Sequence, residues 1–186
     1  GDPGAMFCLA SLYRGGRGVT QSLEKGAELY SMAVEQGHAG AMFQLGYLYR
    51  EGRGVVQSFE KSAKLWVMAV KQGDVNAMFN LGVVYRDGEG VLQSFEKAAE
   101  LWAMAVKQGN ANAMNGLAAL YKGGYGVAQS FEKGAELYTM AVEQGHGEAM
   151  YYLGCLYQHG TGVLQSFAKA AELWAKAAKQ GNVNAM

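Results

Sequence analysis

Apolar residues along this chain recur at helical spacing in two alternating patterns. Ala77, Leu81, Val84 and Tyr85 fall at i, i+4, i+7 and i+8, one face of an α-helix. Asp74 precedes the run as N-cap, and Gly88 follows at the left-handed position where helices commonly end. A short connection through Gln93 comes next, with Val91 the one residue in it expected to be buried. Ser94 then caps a second helix, and Glu96 places a negative charge in its first turn, where it suits the helix dipole. Phe95, Ala98, Ala99, Leu101, Trp102, Ala105 and Val106 form its wide apolar face, with Glu96, Glu100, Ala103 and Lys107 opposite. Gly109 ends it. The pattern predicts a helix–turn–helix hairpin too small to bury its own apolar faces.

The same pattern returns every 36 residues, at 1–36, 37–72, 73–108, 109–144 and 145–180, and 181–186 reads as the start of a sixth copy. Stacking such hairpins covers the faces that each leaves bare. The expected fold is therefore all-α: a right-handed α/α superhelical solenoid of tandem helix–turn–helix repeats, a single array over residues 1–186. Residues identical in all five copies are packing and turn residues: Ala, Met, Leu and Tyr of the first helix, Gly-x-Gly-Val, then Gln-Ser, Lys, Ala, Leu and Ala. Position 10 alternates between Gly and Ala, small enough to let two backbones approach. In the last copy Lys176 and Ala178 replace the Met140 and Val142 of the copy before, a more polar edge of the kind a solenoid end needs.

Composition narrows the function classes. The chain carries 16 basic and 16 acidic residues, a balance that points away from nucleic acid and from a polybasic membrane anchor. No apolar run is long enough to span a bilayer. Cys8 and Cys155 lie in the first and fifth copies, too far apart in a stacked array for a disulfide, and free thiols lean toward a reducing compartment. The chain lacks an initiator Met and stops inside a repeat, so it reads as part of a longer protein and its compartment is left open. Five Gly-x-Gly turns follow helices rather than strands, which makes them turn chemistry and not phosphate loops. His38, His146 and His159 show no metal-ligand spacing. Cys155 and His159 share a helix face as a conceivable nucleophile and base, without a third group to complete them. No cofactor is expected.

The succession Ala77, Leu81, Gly82, Tyr85, then Gly88, Gly90, Val91, then Lys97, Ala98, Leu101, Trp102 resembles the Sel-one-like repeat, a relative of the tetratricopeptide repeat. Equivalents in the other four copies extend the resemblance from end to end. The second helix opens with Ser22, Ser58, Ser94, Ser130 and Ser166 where that family commonly has Asp; either residue caps a helix. The disulfide of the family's cysteine-rich secreted branch is missing. The resemblance implies a non-catalytic adaptor that holds a peptide or partner domain on a concave wall of first helices. Analogy with the disulfide-rich relatives supplies the alternative of a hydrolytic enzyme, and end-to-end stacking supplies that of a self-assembling array.

Differences between copies point to the same wall. Positions 4, 7, 11 and 14 of the first helix vary and form one stripe at helical spacing. Asn76, Asn112 and Glu148 stand at position 4; Phe7, Phe43, Phe79, Asn115 and Tyr151 at position 7; Tyr47 and Val83 at position 11; Arg14, Arg50, Arg86, Lys122 and Gln158 at position 14. Aromatics beside arginines are enriched at interface hot spots. The expected partner is a protein or peptide with acidic and apolar residues lying along Phe43, Tyr47, Arg50, Phe79, Val83 and Arg86.

Overall fold

A computed structural model describes residues 1–181. The start of a sixth copy, expected at 181–186, otherwise lies outside the described residues. The chain packs as two compact units, Gly1–Gln93 and a second beginning at Ser94. The first holds α1 (Pro3–Gly15), α2 (Leu23–Glu35), α3 (Ala39–Glu51), α4 (Phe59–Lys71) and α5 (Val75–Asp87). The second holds α6 (Phe95–Lys107), α7 (Ala111–Gly123), α8 (Phe131–Glu143), α9 (Gly147–His159) and α10 (Phe167–Lys179). Among the described residues there is no strand. The expected all-α repeat fold is the observed one.

The helix ends are set by residues at fixed repeat positions. Asp2, His38, Asp74, Asn110 and His146 each cap an odd-numbered helix by accepting the backbone N–H three residues on. Both histidines do so through Nδ1, at 3.1 Å to Ala41 N and 3.2 Å to Ala149 N. The even-numbered helices start at serines whose Oγ accepts from the lysine N–H three residues on. The invariant glutamine before each serine has a separate task. Its Nε2 donates to a carbonyl in the last turn of the preceding helix, Gln57 to Arg50 O at 2.8 Å and Gln129 to Lys122 O at 2.9 Å. That satisfies one of the four acceptors a helix end leaves open. The invariant lysine stands over the ring of the invariant tyrosine, Lys61 over Tyr49 at 5.1 Å and Lys133 over Tyr121 at 5.2 Å.

In the turn, the second glycine meets two demands. Gly54 has φ 72°, and a Cβ there would lie 2.7 Å from Leu23 Cβ at the start of α2. Gly90 sits the same way against Phe59 of α4. From the second copy on, the turn thus presses onto the second helix of the copy before it, which is how consecutive hairpins dock within a unit.

The interior of each unit shows what position 10 is for. Trp66 and Tyr30 are fully buried in the first unit, as are Trp102 and Tyr138 in the second. A Cβ on Gly46 would come within 2.6 Å of Trp66 Nε1, the atom that donates to Phe43 O at 3.1 Å. Gly154 lies equally tight against Trp174, whose Nε1 donates to Tyr151 O at 3.1 Å. Where position 10 is Ala, as in Ala10 and Ala118, the facing aromatic is the slimmer Tyr30 or Tyr138, and position 26 of that copy shrinks to Gly26 or Gly134. Gly with Trp and Ala with Tyr are two solutions to one volume.

Candidate functional site

The stripe residues separate from the core on every first helix. In α3, Ala41, Met42, Leu45, Gly46 and Leu48 are buried, while Phe43, Tyr47 and Arg50 are partly exposed together on another face. In α5, Phe79, Val83 and Arg86 repeat that arrangement, with Asn76 exposed at the helix start. Phe7 of α1 stacks on His38 at 4.7 Å between ring centroids and tilts against Tyr30 at 5.7 Å. Phe43 stacks on Trp66 at 6.3 Å. These aromatics join inter-repeat and hairpin packing while keeping part of each ring exposed.

The three stripe arginines of the first unit are engaged. Arg14 Nη1 donates to Gln44 Oε1 at 2.9 Å. Arg50 makes a two-pronged pair with Glu89 of the following turn, at 3.0 and 3.4 Å. Arg86 pairs with its neighbour Asp87 at 2.7 and 2.8 Å, and the hydrogen bond from Arg86 holds the Asp87 carboxyl below its usual range. Glu89 and Asp87 fall outside the stripe, so the spacing that revealed the arginines gave no sign of their partners.

The second unit is different in kind. Copy 4 presents Asn112, Asn115 and Lys122, flanked by Glu148, Tyr151 and Gln158 of copy 5. Asn115 Nδ2 donates to Glu148 Oε2 at 3.1 Å, and His146 Nε2 meets Asn112 Oδ1 at 3.1 Å. Since His146 Nδ1 accepts the cap hydrogen bond, Nε2 is the nitrogen that donates. Tyr152, one position beyond the stripe, is central here. Its ring stacks on Tyr138 at 5.6 Å, meets Tyr151 edge-on at 5.3 Å and carries Lys122 Nζ 4.7 Å from its centroid. Beneath it the Tyr138 hydroxyl and Asn115 Oδ1 are buried without a hydrogen-bond partner. Burial above all, with Tyr152, Glu148 and Cys155 adding to it, pushes the Tyr138 hydroxyl far above the usual range and keeps it protonated. Tyr138 stands at the repeat position of Trp102, on the apolar face expected of a second helix, and its lost partner becomes legible only once the repeats are superposed in space.

Hydrolytic chemistry finds no assembly among the described residues. His159 directs Nδ1 to the backbone carbonyl of Cys155 at 2.8 Å. The Cys155 thiol lies instead by the Tyr151 hydroxyl and raises it above its usual range. No group of three or more metal-ligating side chains occurs among the described residues, and none of their helices is long and apolar enough to cross a membrane. Surface grooves lie elsewhere, between a second helix and the following turn. One of about 470 Å3 is lined by Ala63, Val67, Met68, Tyr85 and Val91, residues outside the stripe.

Comparison with known proteins places this architecture. The family model described as Sel1 repeat matches residues 3–38, 39–74, 75–110, 111–146 and 147–182. Among solved structures, a protective antigen of uropathogenic Escherichia coli displaying an SLR fold is 30% identical, with TM-score 0.95 over 98% of this chain and 39% of its own. A Sel1 repeat protein from Oxalobacter formigenes is 28% identical, with TM-score 0.94 over 99% of this chain and 73% of its own. An immunity protein from Pseudomonas aeruginosa is 26% identical, with TM-score 0.60 over 98% of this chain and 67% of its own. The chain thus spans well under half the length of the E. coli antigen. No curated protein matches it. Sel1-repeat proteins generally serve as protein-interaction scaffolds, typically non-catalytic ones. Five consecutive matches, each beginning at the first residue after an N-cap, make this chain a member of the Sel1-repeat family.

Proposed function

We propose that this chain is a non-catalytic scaffold that binds a protein or peptide through the stripe on its first helices. One observation supports this reading most: Phe43, Tyr47 and Arg50 stand together, half-exposed, on a face of α3 that the core does not use. Phe79, Val83 and Arg86 of α5 provide the same set. Aromatic and arginine side chains supply large contact area and directed hydrogen bonds, the combination enriched where binding energy concentrates. A ligand carboxylate would take the place of Glu89 on Arg50, exchanging one two-pronged pair for another. That exchange selects for acidic peptides without leaving a bare cation in the free protein.

Peptides selected from a random displayed library on the full chain test this reading. Changing Phe43→Ala, Arg50→Glu, Phe79→Ala and Arg86→Glu together is expected to weaken the selected peptides at least tenfold. Glu89→Gln, which weakens the internal partner of Arg50, is expected to strengthen acidic ones about two- to fivefold, in line with the up to ~1 kcal/mol of a partly exposed ion pair. Selected peptides that bind the quadruple variant as well as the parent would discard the stripe.

A further inference from the structure

The first and fourth copies share the Ala–Tyr solution to core volume, yet treat the tyrosine hydroxyl in opposite ways. In copy 1, Ser11 Oγ donates to Phe7 O at 3.1 Å and accepts from the Tyr30 hydroxyl at 2.9 Å, while the Phe7 ring packs against Tyr30. In copy 4 the residues at those two positions are Ala119 and Asn115. The serine that would satisfy Tyr138 is gone, and the aromatic that would cover it has become a carboxamide. Tyr138 is fully buried and its hydroxyl has no partner; neither has Asn115 Oδ1. A fold that satisfies this hydroxyl in one copy has set it free in another.

The chemistry of the two atoms specifies what would complete them. Tyr138 offers an O–H to donate. Asn115 already spends an Nδ2 hydrogen on Glu148, so its Oδ1 is an acceptor awaiting a donor. A carboxylate would satisfy the hydroxyl but would face both Asn115 Oδ1 and the Glu148 carboxylate. An ammonium group would satisfy the oxygen and leave the tyrosine without an acceptor. A carboxamide has a carbonyl and an N–H2 side by side and answers both.

We propose that copy 4 is an anchor for a carboxamide side chain, Gln or Asn, of the bound peptide. The ligand carbonyl accepts from Tyr138 and its N–H2 donates to Asn115 Oδ1. A terminal carboxamide on a flexible stem reaches this depth where a peptide backbone does not. The Tyr152 ring stacks on Tyr138 and so would have to turn aside for the carboxamide to enter. This inference rests on the scaffold reading and adds a specificity to it.

The chain contains its own control, because Ala119→Ser rebuilds the arrangement of copy 1. The probe is a capped pentapeptide of alanines with a central Gln, compared with central Met and central Glu, titrated into the isotope-labelled full chain. The resonances followed are the Asn115 side-chain amide and the Tyr138 ring. Saturable shifts are expected with the Gln peptide, at least tenfold tighter than with Met or Glu. Ala119→Ser and Tyr138→Phe are expected to abolish the preference while melting at or above the parent temperature, since the first gives the orphaned hydroxyl a partner and the second removes it. Equal binding of Gln and Met, or a Gln preference that survives Ala119→Ser, overturns the proposal. So does a finding that a water molecule only satisfies the two atoms and is not displaced by the peptide. Loss of the Gln preference with library-selected peptides still sensitive to Arg50 and Arg86 would sink the anchor and leave the scaffold standing. Failure of both measurements would sink both.

Discussion

Single side chains in this protein are judged by the volume and hydrogen bonds their copy offers. Gly46→Ala pushes a methyl onto the Trp66 indole and is expected to cost ~1–3 kcal/mol, as overpacking does. Adding Trp66→Tyr should return most of that loss, because copies 1 and 4 already use the Ala–Tyr pair. Chemical denaturation of the four proteins of this cycle measures the coupling, and simple additivity would refute it. Ser62 is fully buried in α4 with an unpartnered Oγ, at a position where copies 3 and 5 have Ala98 and Ala170. Ser62→Ala is expected to stabilise by about 1 kcal/mol, the lower end of what an orphaned buried hydroxyl costs. A lower denaturation midpoint would show that the hydroxyl has a use. The serine caps, the glycine ends and the buried aromatics were legible in the sequence because each depends on near neighbours along the chain. The two histidine caps were not, since an imidazole at that position accepts a hydrogen bond only when its ring turns Nδ1 inward.

Among whole elements, the Gly-x-Gly turn separates local strain from docking. Gly18 and Gly54 share φ 72°, yet a Cβ on Gly18 meets nothing within 4 Å while one on Gly54 meets α2. Replacing either by alanine costs the strain of a left-handed backbone, about 1 kcal/mol. Gly54→Ala carries the added collision with Leu23 and is expected to lower the melting temperature well beyond Gly18→Ala. Equal losses would mean that the turn does not seat on the helix before it. The same comparison explains why the sequence could name the turn but not its second duty. The period shows that glycine recurs, whereas the atom it avoids belongs to a residue 31 positions earlier.

For the molecule as a whole, charge is balanced in sum and spent locally. Hydrogen bonds hold several carboxyls below their usual range: Glu60 with Lys64, Asp87 with Arg86, Glu96 at the start of α6, and Glu172 with Lys176. A carboxyl depressed in the folded state contributes stability above its unfolded value and loses it as pH falls through the folded one. Stability supplied by these groups is therefore full at neutral pH and declines below about pH 4. Because most of them are exposed, the decline is shallow. Asp87→Asn should flatten part of that acid limb in denaturation midpoints taken between pH 2 and 7. An unchanged slope would show that the Arg86 pair contributes nothing to folding.

Periodicity, caps and turn residues determined the repeat, its helices and the stripe, because each is written in spacings within one copy or in the comparison of one copy with the next. What the tertiary structure alone decided is which stripe residues are already occupied. Arg50 meets Glu89 and Arg14 meets Gln44 across repeats, and Tyr138 loses the partner that Tyr30 keeps. The physical reason is range. Helix formation is settled among residues a few positions apart, whereas a hydrogen bond between side chains on different helices depends on how those helices are packed.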